Sequence, residues 1–293
     1  GGLIRWLFSA SWEVELAGDR YPAAWPMGAP ISELLALVRR PGPRLADGLV
    51  THQERVPVDV DLAMSQWSAY VETLRDTGWD ISEVDPVDDC PDAVFIEDAI
   101  VVFDDLAVVA RSGAPVRRSE TVGAEEAARR LGLDLHRIEA PGTLDGGDVL
   151  KVGRTAYVGV SRRTTLPAVN QLDAVLSSRG WVVRPVPVRR VLHLKSAVTA
   201  LPDGTIIGYA DHVDAVANYE RFVAMPEPEG AHVVLLGDDR LLMSSSAPES
   251  AARLATMGYR PVQVDISEFE KLEGCVTCLS VRIRRPVVDA PKS

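Results

Sequence analysis

One pattern constrains this chain more than any other: two short apolar strands, a helix and a further strand recur in that order along it. Residues 94–103 and 106–110 are expected to pair across Asp104-Asp105, followed by a helix at 124–131 stopped by Gly132 and a strand at 133–138. Residues 148–152 and 155–160 flank Gly153-Arg154, ahead of a helix at 167–178 ended by Gly180 and a strand at 181–186. Residues 197–201 and 205–208 flank Pro202-Asp203-Gly204, with a helix expected near 213–222 and an extended 223–225. Residues 232–236 and 241–243 flank Gly237-Asp238-Asp239; Ser246-Ala247-Pro248-Glu249 reads as a capping box, and Gly258 stops that helix before a strand at 260–264. The outer parts supply a fifth unit: a strand at 34–40, a helix from the N-cap Asp59 to Gly78, a strand at 79–84, and a last strand at 276–283 with no helix after it.

Units of roughly 40–50 residues mean an array or a propeller. A ring closed by pairing the last strand with the first leaves no open sheet edge. An open α/β sheet would alternate strand and helix without the hairpins. The expectation is a five-bladed α/β propeller forming one catalytic domain over residues 34–286, with an N-terminal extension at 1–33 that carries no readable motif and a C-terminal tail at 287–293. No glycine-rich phosphate loop joins a strand to a helix, which argues against a nucleotide.

The formal net charge of −11 argues against a nucleic-acid groove or an anionic membrane surface as partner. No apolar run reaches the roughly 20 residues of a membrane helix, and the stretch Gly1 to Phe8 is too short and charge-interrupted for a signal peptide. Cys90, Cys275 and Cys278 make no disulfide framework and fit a reducing cytoplasm. Cys275-x-x-Cys278 is flanked by strand-like alternation, whereas a redox motif normally opens a helix; no second Cys/His pair lies at zinc-finger spacing.

Polar residues recur in phase at the head of each unit. Asp98 precedes an apolar strand, Asp145 lies in Leu-Asp-Gly-Gly-Asp before the next, His193 precedes the third hairpin, and Cys278 opens the last strand. In a closed ring such positions converge on one axis. Singly, each has a plain reading: Asp145 as a turn residue, Asp98 as a solvated strand end, His193 as a core histidine, Cys278 as a small buried apolar residue. Jointly they make chemical sense. Cys278 would attack an electrophilic carbon, His193 would shuttle protons, and Asp145 would orient the imidazole. A carboxylate at Asp98 argues for a cationic substrate, best a planar guanidinium. His232 falls roughly in phase but reads as structural; His52, His136 and His212 read as loop or surface residues.

Phe95-Ile96-Glu97-Asp98, Arg111 to Arg118, Leu144-Asp145-Gly146-Gly147-Asp148, Gly159 to Thr164, Leu192 to Ser196 and Val276 to Ser280 together resemble the dimethylarginine dimethylaminohydrolases of the pentein, or guanidine-modifying, superfamily. The resemblance runs from about residue 36 to 284. It implies a pentein fold, no metal or organic cofactor, and hydrolysis of Nω-methylated arginine to citrulline and a methylamine through a covalent thiouronium on cysteine. It implies Cys278 as nucleophile, His193 as general acid/base, Asp145 as its orienting acid and Asp98 as the guanidinium carboxylate. Asp92, Glu97, Arg117 and Arg163 match residues that grip the amino-acid end or line the pocket, the arginines pairing with the α-carboxylate. Glu273 matches a position contributing a backbone carbonyl, and the loop with Arg44-Leu45 matches a mobile lid, making Leu45 a substrate contact. The implied partner is a small cationic amino acid, and a homodimer is compatible with it. The alternatives are an arginine deiminase or dihydrolase acting on free arginine, an amidinotransferase, and a non-catalytic binder of arginine derivatives.

Overall fold

The computed structural model describes residues 31–286. In chain order its regular elements are β1 (Ile31–Val38), α1 (Val60–Asp76), β2 (Asp80–Glu83), β3 (Ile100–Phe103), β4 (Leu106–Val109), α2 (Thr121–Arg130), β5 (Asp134–Arg137), β6 (Val149–Val152), β7 (Thr155–Val160), α3 (Leu166–Leu176) and β8 (Val182–Pro187). There follow β9 (Val198–Ala200), β10 (Ile206–Gly208), β11 (Phe222–Ala224), β12 (Val234–Gly237), β13 (Arg240–Ser244), α4 (Pro248–Thr256), β14 (Arg260–Val264), α5 (Ser267–Glu270) and β15 (Ser280–Pro286). They make five three-stranded sheets, each an antiparallel pair with a third strand parallel to its middle member. The sheet β15-β1-β2 joins the two ends of the described chain, with Val38 opposite Ser280 and Leu34 opposite Arg284. The ring is therefore closed by strand pairing, as the repeat predicts, and the fold is the five-bladed α/β propeller.

The packing explains why the first strands read as unbroken apolar runs. In β3 every residue is buried. Ile100 and Val102 pack with Ala124, Ala127 and Ala128 of α2 and with Val281 and Ile283 of β15. Their neighbours Val101 and Phe103 face the next blade, against Val149, Ala156, Val158 and Leu172 of α3. A strand packed on both faces needs apolar side chains at every position, not at alternate ones. Burying each such side chain contributes about 1.5–3 kcal/mol.

Five expectations change at the level of elements. The strand expected over 94–103 is shorter: a 3-10 turn at Ile96–Asp98 precedes β3. The last strand starts at Ser280, after a turn in which the Cys278 amide donates to the Cys275 carbonyl at 3.0 Å. The helix expected near 213–222 is absent; 3-10 turns at Ala210–His212 and Val216–Asn218 stand there. Val213 and Tyr219 are both buried in one cluster, and residues six apart fall about 240° round an α-helix, so a helix could not bury both on one face. The capping box is also replaced. Ser246 Oγ donates to Glu270 at 2.7 Å, and the Glu227 carboxylate accepts from the amides of Glu249 and Ser250 at 3.0 and 2.7 Å. The N-terminus of α4 is thus capped by a residue from before β12. His136 lies in β5, not in a loop. The extension and tail set apart at 1–33 and 287–293 fall outside the described residues, except that β1 already begins at Ile31.

Candidate active site

The phased polar residues sit on short 3-10 turns leading into the first strands of the blades: Ile96–Asp98 before β3, Gly146–Asp148 before β6, and Leu194–Ser196, capped by His193, before β9. The turn of Cys278 leads into β15 in the same way. Two neighbouring turns are joined directly, since the Glu97 amide donates to the Cys278 carbonyl at 3.2 Å. Tyr70 of α1 braces the cysteine turn from behind, its hydroxyl 2.8 Å from the Val276 carbonyl and 2.7 Å from Ser280 Oγ.

One cavity is lined by Asp92, Asp98, Arg117, Arg163, His193, Glu273 and Cys278, with Leu49, Phe95, Leu192, Leu272 and Gly274 completing its wall. The sulfur and the imidazole thus face one space. The His193 ring lies between two acids: one nitrogen is 3.2 Å from Asp145 Oδ2, the other 3.7 Å from Asp98 Oδ1. Burial opposes the imidazolium, but Asp98, Asp145 and Asp148 outweigh it and push His193 up to about 9. Asp145 is fully buried behind the ring and also accepts from the Gly113 amide at 3.1 Å and Arg163 Nη1 at 3.2 Å. Burial works against its ionisation, yet the bond to His193 and the nearby charges of His193, Arg117 and Arg163 hold it below the usual carboxylate range.

Asp98 accepts from Arg117 Nη1 at 2.8 Å and from the Gly147 amide at 2.9 Å. That approach explains Gly-Gly. A Cβ at Gly147 would lie 2.5 Å from His193 Nδ1 and 2.7 Å from Asp98 Oδ1, and one at Gly146 would lie 2.0 Å from the Glu97 carbonyl. Arg117 is buried and also binds Glu120 through Nε at 3.1 Å and Nη2 at 2.9 Å. Asp92 accepts from the Leu49 amide at 3.0 Å, and burial pushes its carboxyl up.

Two expected residues, Leu45 and Glu97, stand away from the cavity, and Glu273 lines it with its side chain turned outward. Leu45 is fully buried in the core and does not line the cavity; Leu49 does. Glu97 turns away from the cavity, 2.8 Å from Arg282 Nη2 and 2.6 Å from Lys195 Nζ. The Glu273 side chain faces the loop before α1, accepting from the Thr51 amide and hydroxyl at 2.8 and 2.9 Å, and its backbone has φ 61°.

Sequence reasoning missed Glu120, which spacing of three from Arg117 could have flagged, and Asp148. The latter is wholly buried, accepts from the Leu194 amide at 2.8 Å and Ser161 Oγ at 2.7 Å, and is pushed up to about 6 by burial. It also missed the proximity of Cys275, whose sulfur is 3.4 Å from that of Cys278. That neighbour, burial, and the charges of Glu97 and Asp98 hold the Cys278 thiol well above its ordinary range. Asp98, Asp145 and His193 offer ligand atoms within 4.8 Å of one another, but the guanidinium groups of Arg117 and Arg163 already engage those carboxylates. Among the described residues no helix is long and apolar enough to cross a membrane.

Five such blades closed into a ring, with the polar groups gathered where the first strands begin, define the pentein class. No protein-family model matches the chain. It is 61% identical over 249 residues to the N(G),N(G)-dimethylarginine dimethylaminohydrolase of Streptomyces coelicolor, covering 85% of this chain and 96% of that one. Against the enzyme of the same name from Pseudomonas aeruginosa it is 33% identical over 250 residues, covering 84% and 98%. The chain belongs to the dimethylarginine dimethylaminohydrolase family. Among solved structures, a dimethylarginine dimethylaminohydrolase in adduct with S-methyl-L-thiocitrulline, a histidine-to-glycine variant, superposes with a TM-score of 0.80 at 31% identity, covering 85% of this chain and 99% of that one. A cysteine-to-serine variant of the Pseudomonas aeruginosa enzyme, complexed with citrulline, gives 0.79 at 32% identity, covering 85% and 98%.

Proposed function

We propose that the chain hydrolyses Nω-methylated arginine to citrulline and a methylamine, with Cys278 as nucleophile. The observation that carries this is a cavity combining a thiol, a doubly flanked imidazole and Asp98 with the apolar walls Leu49, Phe95, Leu192 and Leu272. Acids suit the guanidinium charge and apolar side chains suit its methyl groups. Family membership supports the same substrate class.

Without substrate, Cys278 is held as a neutral thiol. A guanidinium beside it reverses the local field and favours the thiolate. The sulfur attacks the guanidinium carbon, the C–N bond to the methylated nitrogen breaks, and the His193 imidazolium gives that nitrogen its proton. The ring nitrogen facing Asp98, too far at 3.7 Å to be hydrogen-bonded to it, is the one free to do so. Water then gives a proton to the neutral imidazole and adds to the thiouronium carbon; the C–S bond breaks, leaving citrulline and the thiolate. Asp145 keeps the ring oriented, and Arg163 is the guanidinium available to the α-carboxylate, since Arg117 is committed to Asp98 and Glu120.

The test compares kcat/KM for asymmetric dimethylarginine and arginine in the wild type, with products identified, and repeats it in Cys278→Ser. Preference for the methylated substrate and loss of turnover and of the trapped adduct in the variant are expected. Preference for free arginine makes the chain a deiminase or dihydrolase, and citrulline release by the variant overturns the mechanism.

A further inference from the structure

Cys275 has no part in the reaction derived above, yet the geometry of the Cys275-x-x-Cys278 pair is specific. The two sulfurs are 3.4 Å apart and both cysteines are buried. The Cys278 amide donates to the Cys275 carbonyl at 3.0 Å, closing a tight turn. Such a turn brings its end Cα atoms within about 7 Å, inside or at the edge of the range a disulfide spans. Side-chain rotation is then enough to bring the sulfurs to the roughly 2.05 Å of a bond. Cys278 lines the cavity and is open to a small solute through it. The third thiol, Cys90, lies apart, 3.2 Å from Ser119 Oγ.

We propose that Cys275 and Cys278 are an oxidative modification site: a hydroperoxide oxidises Cys278, and Cys275 resolves the product to a disulfide that takes the nucleophile out of use. Across the 3.4 Å between them the two sulfurs share one proton; with it on Cys275, the Cys278 thiolate attacks a peroxide oxygen, the O–O bond breaks, and the departing hydroxide takes the Cys275 proton, leaving a sulfenic acid beside a Cys275 thiolate. The Cys275 thiolate attacks that sulfur, the S–S bond forms, the S–O bond breaks, and the departing hydroxide takes up a proton as water. Two thiols and hydrogen peroxide thus give one disulfide and two waters. The hydrogen bond to Cys278 lowers Cys275 against the pull of burial, so that the two sulfurs hold one proton between them more readily than two. The flanks differ from a thioredoxin-type motif, because the pair precedes β15 and not a helix. Its role here is to spare the nucleophile from irreversible sulfinic and sulfonic acids.

The effect on turnover rests on Cys278 being the nucleophile; the linkage itself does not. The whole chain is treated with hydrogen peroxide, assayed before and after dithiothreitol, and mapped by mass spectrometry. Expected in the wild type are loss of turnover, loss of the mass of two hydrogens, a peptide linked through Cys275 and Cys278, and recovery with dithiothreitol. Cys275→Ser, or Cys275→Ala should the serine variant fail to fold, is expected under prolonged peroxide to gain oxygen and to recover little of its own starting activity. Cys90→Ser is expected to behave as wild type. Loss of turnover without the linked peptide, a link through Cys90, or equal recovery in the Cys275 variants overturns the proposal while leaving the nucleophile in place. A linked peptide with unchanged turnover overturns the switch and the nucleophile together.

Discussion

Asp145→Asn isolates what holds the imidazole. Asp145 accepts three hydrogen bonds, from the His193 ring, Arg163 Nη1 and the Gly113 amide, at 3.2, 3.2 and 3.1 Å. All three partners are donors, with Gly113 on one carboxylate oxygen and the ring and Arg163 on the other, so an amide leaves either the first or the latter two facing an N–H. A hydrogen bond to a charged group contributes about 1.5–3 kcal/mol, and one pKa unit corresponds to about 1.4 kcal/mol. The imidazolium, now pushed up to about 9, is therefore expected to titrate about 1–2 units lower. It should not fall below its ordinary 6.5, because Asp98 acts on it ahead of Asp145 and remains. A proton donor that is also misoriented costs roughly 10²–10⁴-fold in kcat/KM. NMR titration of the His193 ring in wild type and variant, with pH profiles of kcat/KM, measures both. An unmoved imidazole titration refutes the pairing, and a moved titration with unchanged kcat/KM refutes its part in turnover.

Gly147→Ala should fold but drive the new methyl against His193 and Asp98, where the added carbon would stand 2.5 and 2.7 Å from their atoms; a displacement of that kind costs about 10²-fold in kcat, read by steady-state kinetics beside an unchanged circular dichroism spectrum. Tyr70→Phe leaves the Val276 carbonyl and Ser280 hydroxyl short of a buried partner, so urea unfolding should report a loss of about 1–3 kcal/mol. The raised His193 also makes stability depend on pH. Lifted from 6.5 to about 9, it contributes about 3 kcal/mol, present in full below about pH 6.5 and lost as pH rises through about 9. Urea unfolding at about pH 6 and about pH 10 should show that loss in the wild type and much less of it in His193→Gln.

Much of this was legible because the first strands are unusual. Ile100–Phe103 is apolar at every position since both its faces are packed, and each such strand is bounded by turn residues, so the blades could be counted and their heads aligned. Alignment of the heads brought Asp98, His193 and Cys278 onto one cavity with Asp145 behind the ring. What stayed hidden depends on contacts distant in sequence. Nothing near Glu227 says that its carboxylate ends a helix beginning at Pro248. Glu97 and Asp98 are adjacent and alike, yet Lys195 and Arg282 draw one away from the cavity while Arg117 and His193 keep the other there. Leu45 and Leu49 are equally plausible walls until the 3-10 turn at Leu45–Asp47 buries the first.

The strand that shuts the ring also delivers the sulfur. Cys278 lies just ahead of β15, and β15 is the only neighbour of β1 on that side. During synthesis the ribosome releases three earlier blades' worth of acids and the imidazole before the thiol emerges. A chain cut ahead of Cys278 lacks both the strand that closes the ring and the thiol, so ring closure and the proposed nucleophile arrive in the same last stretch of chain.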